Sequence, residues 1–169
     1  MAVTIRAEQP GDRKAVYAVN SAAFETDAEA DLVEALRALA RPFVSLLAEI
    51  SGAVVGHIMF SPASLEEQPD LPVMGLAPMS VLPSHQSTGI GSKLVVIGLE
   101  HCRQLGIKVV IVLGHPDYYP RFGFQPASRF GIESDYEVPD EVFMAMELEA
   151  GALNGVNGRV SYHEAFKNI

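Results

Sequence analysis

The chain has 169 residues, with 12 Lys and Arg against 21 Asp and Glu, which gives a formal net charge of −9 with neutral histidines. This acidic balance argues against a nucleic-acid partner, because no basic stripe is present to displace phosphate counterions. Hydrophobic residues make up 49% of the chain and charged residues 20%, a composition typical of a folded domain. At about 150 residues per domain, we expect a single domain over residues 1–169.

The distribution of cysteine, charged and apolar residues predicts a cytoplasmic location. Cys102 is the one cysteine, so no intrachain disulfide can form. The longest apolar runs, such as Val109–Leu113, fall far short of the ~18 residues that span a bilayer. Arg6, Glu8 and Asp12 occupy the region where a signal peptide needs its apolar stretch. We therefore expect a cytoplasmic protein without a membrane partner.

The first half of the chain predicts a strand, two helices and a hairpin. Asp27 is the expected N-cap of the second helix, and two β-rich runs meet at Ser51-Gly52. These elements are a strand over Ala2–Arg6, helices over Asp12–Phe24 and from Asp27 to Pro42, and antiparallel strands over Val44–Ile50 and Ala53–Phe60. The acidic, proline-containing segment Pro62–Pro72 is expected to be a loop.

A strand–helix–strand unit follows in the sequence. Ile107–Leu113 is an unbroken β-branched run, typical of a strand buried beside a parallel neighbour. The unit consists of a strand over Val73–Leu82, a helix from about Ser92 to Leu105 and this strand, and it predicts a right-handed crossover. Later elements are a short turn or helix near Asp117–Phe122 and strands over Val142–Leu148 and Arg159–His163. The predicted fold class is α+β, with three α/β/α layers and a mixed sheet that has one parallel pair near its middle.

Pro78 lies inside the first strand of this unit. Proline has no N–H to donate to a sheet, so its presence indicates an edge or a bulge. A bulge stops regular pairing and frees backbone groups for a ligand.

The most informative stretch joins the predicted strand to the predicted helix through Gly89 and Gly91. Glycines let the backbone turn with its N–H groups converging, and a helix N-terminus adds about half a positive charge. Together they form an anion site suited to a pyrophosphate, to which Lys93 and Arg103 can add charge. The stretch does not match a Walker loop, because its order is Gly-Ser-Lys. It does not match a dinucleotide-binding fingerprint either, because Leu94 stands where that motif has a small residue. The alternative interpretation is a tight turn without a ligand.

Two segments resemble motifs of one enzyme family, the GNAT N-acetyltransferases. The segment Gln86-x-x-Gly89-Ile90-Gly91 resembles the family's acetyl-CoA loop, and Tyr119-Pro120-Arg121-Phe122-Gly123-Phe124 resembles its later Tyr-x-Lys/Arg-x-Gly-Phe segment. Over about residues 73–124 the chain is similar to a bacterial branch of predicted N-acetyltransferases. The resemblance implies a mixed, mostly antiparallel sheet whose central parallel strands are splayed.

In that family the pantetheine arm of coenzyme A lies between the splayed strands and pairs with exposed backbone. The implied cofactor-binding residues are Met79, Ser80 and Val81 on the strand, and Gln86, Ser87, Thr88, Gly89, Ile90, Gly91 and Ser92 in the loop. A backbone N–H near Met79 would polarise the thioester carbonyl, and one such donor is worth ~3 kcal/mol. The family often has Lys or Arg at the positions of Ser87 and Thr88, so we expect affinity to rest mainly on the backbone.

The resemblance also implies a reaction, the transfer of an acetyl group from acetyl-CoA to a primary amine by direct attack on the thioester. Tyr119 matches the family tyrosine that donates a proton to the departing thiolate, and a phenol is protonated at neutral pH. Tyr118 is the less favoured donor, and a core aromatic is the structural alternative for Tyr119. The family often has Asn at the position of Val112. A competing function is a non-catalytic acyl-CoA sensor, whereas the failed loop patterns disfavour a nucleotide-binding enzyme.

Other reactive residues are weaker candidates. His57 can be considered as a base, but its apolar neighbours favour a hydrogen-bonded core histidine. No metal site is expected, because the five histidines show no zinc-type spacing. Cys102 lies on the apolar face of a predicted helix and is expected to be a small core residue.

Acidic residues form three clusters in the regions where the resemblance implies that the acceptor site lies. The clusters are Glu25–Asp31, the group Glu66, Glu67 and Asp70, and Glu133–Glu141. Their negative potential would attract a cationic amine, carried by a small molecule or a peptide. Solvated surface charge is the alternative for each residue. Because the family often dimerises through its late strands, the resemblance also allows a homodimer.

Overall fold

The computed structural model describes residues 2–168, which contain three α-helices and one nine-stranded sheet. The helices are α1 (Arg13–Ala23), α2 (Ala28–Leu39) and α3 (Ile90–Gln104). The strands are β1 (Thr4–Ala7), β2 (Val44–Ile50), β3 (Ala53–Leu65), β4 (Gln68–Val81), β5 (Val109–Leu113), β6 (Gln125–Pro126), β7 (Ile132–Ser134), β8 (Phe143–Glu147) and β9 (Gly158–Tyr162). Within these residues, no helix combines the length and the apolar character that crossing a bilayer requires.

Neighbouring strands follow the order β1-β2-β3-β4-β5-β8-β6, and β9 pairs with β3 and β7. The strand pairs are antiparallel except for β4–β5 and the short β7–β9 pair. The unit β4-α3-β5 is the predicted strand–helix–strand crossover. The predicted α+β fold, a mostly antiparallel sheet with a central parallel pair, is confirmed.

Helices cover both faces of the sheet. Along β2, Leu46 packs in the hydrophobic cluster beneath α3, whereas Leu47 packs in the cluster beneath α1 and α2. Because successive side chains on a strand point to opposite faces, α3 lies on one face and α1 and α2 lie on the other. Phe60 of β3 sits directly against Gly98 of α3, where a Cβ would overlap its ring. This contact explains why glycine occupies the middle of the helix.

Several predicted boundaries match closely. The β2–β3 hairpin turns at Ser51 and Gly52, whose φ angles of 52° and 83° suit a tight hairpin turn. Asp27 is the N-cap residue of α2 by position, although its side chain makes no capping hydrogen bond. The short strands β6 and β7 were not predicted.

The prediction that Pro62–Pro72 is a loop is wrong. β3 continues to Leu65 and β4 begins at Gln68, so only Glu66 and Glu67 form the turn. Leu65 is buried and pairs with Gln68, and β9 pairs with the same end of β3. Pairing with β4 on one edge and with β9 on the other therefore overrides the local proline signal.

Candidate active site

The parallel strands β4 and β5 separate soon after they pair. Their register joins Val73–Gly75 to Val109–Ile111, yet β4 continues to Val81 and β5 to Leu113. In the part of the chain that the structure describes, the second half of β4 pairs with β3 alone. The strands are therefore splayed, and a gap between them opens just beyond Gly75.

A bulge shapes the β4 side of this gap. The register of β4 against β3 shifts between Leu76 and Met79, so that Ala77 and Pro78 together lie opposite a single β3 residue. Leu76 and Met79 both pack beneath α3, while Ala77 packs on the opposite face. The extra residue has reversed the alternation of side chains. The bulge predicted from Pro78 is confirmed, and it lies at the opening of the gap.

The loop after β4 presents free amides at the start of α3. Gly89 is the N-cap residue with a φ of 88°, and Ser87 has a φ of 62°, so the chain turns sharply twice. The N–H of Lys93 donates to the carbonyl of Gly89 at 3.1 Å. The amides of residues 90–92 precede this first helical bond and have no carbonyl acceptor within their own helix. They lie at the positive end of the helix dipole, where an anion is stabilised.

A cleft of about 390 Å³ lies over this loop. Seven of the predicted cofactor-binding residues line it, namely Val81, Gln86, Ser87, Gly89, Ile90, Gly91 and Ser92. The side-chain amide of Gln86 donates to the carbonyl of Val81 at 3.0 Å, which holds the loop against the end of β4.

The other three predicted cofactor-binding residues lie outside this cleft. The Thr88 hydroxyl donates to the carbonyl of His85 at 2.6 Å, so this side chain braces the loop. Met79 and Ser80 lie further back along β4, next to the bulge. Met79 packs toward α3, whereas Ser80 is buried on the opposite face.

Arg121 supplies the positive charge of the cleft, and sequence reasoning missed it. Its guanidinium lies 4.7 Å from the centroid of the Tyr118 ring, and both residues line the cleft. Lys93 and Arg103, the predicted sources of charge, do not line it. Arg103 pairs instead with Glu100 at 3.3 Å on the exposed side of α3. The basic position of the Tyr-x-Arg motif was the signal that could have identified Arg121.

Tyr119 lies buried in the short segment after β5. Its ring packs edge-to-face on Phe124 at a centroid distance of 5.7 Å, and it lies against Gly114, where a Cβ would overlap it. Burial, with a smaller contribution from the neighbouring Tyr118, raises the pKa of Tyr119 to about 12. The phenol is therefore protonated at neutral pH and can act as a proton donor. The Tyr118 hydroxyl is instead 2.9 Å from that of Ser92.

His57 is part of a buried polar network. Its Nδ1 is 3.1 Å from the amide nitrogen of Asn20 and its Nε2 is 2.8 Å from the hydroxyl of Ser45, which donates to Glu8 at 2.6 Å. Because the Ser45 proton goes to Glu8, Nε2 carries the imidazole proton. Burial lowers the pKa of His57 to about 3, and Arg37 acts in the same direction. The ring is neutral and fully bonded, so its interpretation as a core histidine is confirmed.

The remaining candidates are structural or peripheral. Cys102 is buried, and burial raises the pKa of its thiol to about 12, so it is a core residue as predicted. Among residues 2–168, no group of three or more His, Cys, Asp and Glu side chains could hold a metal ion. Of the three acidic clusters, Glu133–Glu141 alone contributes to a cavity beside the β4–β5 gap, through Glu137.

The splayed sheet and its anion-binding loop are the framework of an acyl-CoA-dependent transferase, and comparison with known proteins identifies the class. A model of the acetyltransferase (GNAT) family matches residues 13–124, and the chain belongs to that family. The predicted family and enzymatic class, an N-acetyltransferase, are confirmed. Membership of this family makes acetyl-CoA the co-substrate.

Individual relatives agree with this assignment. Two proteins of Escherichia coli K12, both described as uncharacterized N-acetyltransferases, are similar in sequence. YjhQ is 42% identical, and the match covers 82% of this chain and 78% of YjhQ. YhbS is 36% identical, and the match covers 98% of this chain and 99% of YhbS. The crystal structure of E. coli YhbS with CoA has a TM-score of 0.91 at 35% identity, covering 98% of this chain and 92% of that one. A GNAT acetyltransferase from Brucella melitensis with acetyl-CoA has a TM-score of 0.81 at 35% identity, covering 98% of each chain.

Proposed function

We propose that this protein transfers the acetyl group of acetyl-CoA directly to a primary amine, with Tyr119 as the proton donor to the departing thiolate. The observation that carries the proposal is the position of the β4–β5 gap, because β4 leads directly into the glycine loop and β5 leads into the segment that holds Tyr119. A thioester that enters the gap with its phosphates on the loop reaches a protonated phenol at the end of β5. The two similar structures that contain CoA and acetyl-CoA support the identity of the cofactor.

The cofactor site that we propose is made mainly of backbone. The amides from Gln86 to Ser92 bind the pyrophosphate, and Arg121 adds a cationic side chain. The pantetheine arm pairs with the β4 backbone over residues 79–81, which β5 leaves unpaired. This arrangement explains how a chain with a net charge of −9 holds a polyanion, because its donors are local dipoles.

The reaction that we propose proceeds through one tetrahedral intermediate. The free amine attacks the thioester carbon, and a backbone N–H near Met79 stabilises the oxygen that becomes negative, a contribution of ~3 kcal/mol. A C–N bond forms and the C–S bond breaks, while the proton lost from nitrogen passes to water. Tyr119 gives its proton to the thiolate and is then reprotonated from solvent. The products are the N-acetylated amine and free CoA.

Calorimetry and intact-protein mass spectrometry test the cofactor and the direct attack. Titration with acetyl-CoA should give saturable heat, while ATP and NAD, as control ligands, should give none. After incubation with acetyl-CoA in the absence of amine, the mass of the protein should be unchanged. Failure to bind acetyl-CoA would contradict the proposed site. An acetylated protein whose acetyl group is removed on addition of an amine would contradict direct attack.

A non-catalytic acyl-CoA sensor is the second candidate. The observation that favours it is the burial of Tyr119, which is 7% exposed and packs on Phe124, because a purely structural core tyrosine would not give its proton to a thiolate. A sensor would bind acetyl-CoA without releasing thiol when an amine is added, so a turnover measurement separates the two functions.

A further inference from the structure

A second cavity adjoins the β4–β5 gap on the face of the sheet opposite α3. It has a volume of about 450 Å³ and is bounded by Ala77 of the bulge and Leu113 at the end of β5. Ala77 packs with the cluster beneath α1 and α2, whereas the cleft over the glycine loop adjoins α3. A cofactor bound from the loop and a second substrate in this cavity would therefore meet in the gap.

Aromatic rings form the walls of this cavity, which we call the aromatic cavity. Tyr162 and Phe166 stack with their centroids 4.9 Å apart, and Tyr136 lies 6.1 Å from Tyr162. Tyr136 and Val138 also line the cavity and are 42% and 37% exposed, so their apolar surface is accessible to a ligand. The ring surfaces that face the cavity can pack against a planar apolar group of a ligand, as aromatic rings pack on one another.

The charge around the aromatic cavity has one sign. Glu137 lines it, and no basic side chain from the described part of the chain does so. The same segment carries further carboxylates at Glu133, Asp135, Asp140 and Glu141. Negative potential at the mouth of a low-dielectric pocket attracts a cation and repels an anion. An ammonium group therefore complements this site.

The floor of the aromatic cavity offers an unused polar group. The Tyr162 hydroxyl is buried and, beyond the approach of the Leu113 backbone N–H to its oxygen, has no hydrogen-bond partner among residues 2–168, so its proton has no acceptor there. Its ring lies under Gly75, where a Cβ would be 2.7 Å from Cε1, so Tyr162 sits at the point where β4 and β5 part. An acceptor atom of a bound ligand would satisfy this proton.

We propose that the aromatic cavity binds the acceptor, and that this acceptor is a primary amine joined by a short alkyl chain to an aromatic ring. The inference rests on the proposed acetyl transfer for the role of the cavity and extends it to a substrate class. The ring lies among Tyr136, Tyr162 and Phe166, and the alkyl chain leads past Ala77 to the thioester. Glu137 draws the protonated amine toward the cavity before it loses its proton and attacks.

The test compares 2-phenylethylamine with ethylamine, two probes that differ by the ring alone. Each is titrated by calorimetry into the protein saturated with CoA, and each is assayed by thiol release with acetyl-CoA. We expect 2-phenylethylamine to bind at least tenfold more tightly and to have a kcat/KM at least tenfold higher. Equal binding of the two amines would overturn the proposal, as would a higher kcat/KM for a lysine peptide than for 2-phenylethylamine.

Variants locate the effect and separate this inference from the proposed function. Tyr136→Ala should reduce the affinity for 2-phenylethylamine to near that for ethylamine while leaving acetyl-CoA binding unchanged. The matched control is Leu39→Ala, which removes a 64% exposed apolar side chain outside the cavity and should leave both affinities unchanged. Retention of the preference in Tyr136→Ala would overturn the proposal. Preferential binding of 2-phenylethylamine without any thiol release would support the cavity and contradict the proposed acetyl transfer.

Discussion

The hydroxyl groups of Ser92 and Tyr118 lie 2.9 Å apart and join the first turn of α3 to the segment that follows β5. The Tyr118 ring also stacks beneath the guanidinium of Arg121. Its neighbour Tyr119 packs at an interplanar angle of 82° to it, against Phe124 and the core. Two adjacent tyrosines thus lie in different surroundings: Tyr118 lines the cleft over the glycine loop, and Tyr119 packs in the core after the end of β5.

Replacing these two tyrosines should therefore affect different kinetic constants. Tyr119→Phe removes the proposed proton donor and should lower kcat by ~10²-fold with little change in the Kd for acetyl-CoA. Tyr118→Phe, the matched variant, loses the bond to Ser92, which is worth about 0.5–1.5 kcal/mol, and should raise that Kd up to about tenfold. Thiol-release kinetics and calorimetry measure both. A large loss of kcat in Tyr118→Phe with none in Tyr119→Phe would reverse the assignment.

The position of the Tyr119 ring depends on a glycine beside it. In Gly114→Ala the new Cβ would overlap the ring and displace it, so we expect kcat to fall at least tenfold and the melting temperature to drop. Gly11→Ala is the control, because a Cβ there has no atom within 4 Å. If Gly114→Ala retained full activity, the placement of Tyr119 against Gly114 would not matter to the reaction.

Arg121 should contribute to cofactor affinity through its charge. Arg121→Gln is expected to raise the Kd for acetyl-CoA about tenfold at low ionic strength, and the difference from the unaltered protein should shrink as salt is added. Arg103→Gln removes the same charge from the exposed face of α3, where Arg103 pairs with Glu100, and should have little effect. Equal losses in the two variants would indicate a general effect of net charge rather than a contact in the cleft.

Buried His57 should make stability depend on pH. Its pKa is about 3 in the folded protein and near 6.5 when unfolded. Between these values the unfolded state binds one more proton, so the free energy of unfolding falls as pH is lowered, by about 1.4 kcal/mol per pH unit. Urea unfolding at pH 7.5, 6.0 and 5.0 measures the slope, which His57→Gln should reduce. The hydrogen bond from Arg6 lowers the pKa of Asp12 to about 2, so Asp12 changes the stability only below about pH 4, under the three pH values measured. Equal slopes in the two proteins would exclude this role for His57.

The elements that local sequence predicts well are those that form the site. The β-branched run of β5, the apolar spacing of α3 and the glycines between them are signals carried by neighbouring residues. Pro78 predicted the bulge for the same reason, since a missing N–H is a property of the residue itself. The bulge is therefore predicted from a single residue, whereas the gap between β4 and β5 was expected only from the family resemblance.

Features built from distant segments could not be predicted in this way. The extension of β3 to Leu65 depends on pairing with β9, and the short β6 forms only by pairing with β8. The aromatic cavity brings Ala77 together with Tyr136 and Phe166, which are far apart in sequence. Arg121 reaches the cleft over the glycine loop because the chain turns back after β5. None of these contacts leaves a periodic pattern in the residues that make it.

The measurement that tests the central claim most directly is thiol release from acetyl-CoA with and without a primary amine, with the product identified by mass spectrometry. The proposed acetyl transfer predicts that thiol appears only when amine is present, in a one-to-one ratio with the N-acetylated amine. The claim would be contradicted if acetyl-CoA bound but no thiol appeared with any of a panel of aromatic, aliphatic and peptide amines. That result would favour a non-catalytic acyl-CoA sensor.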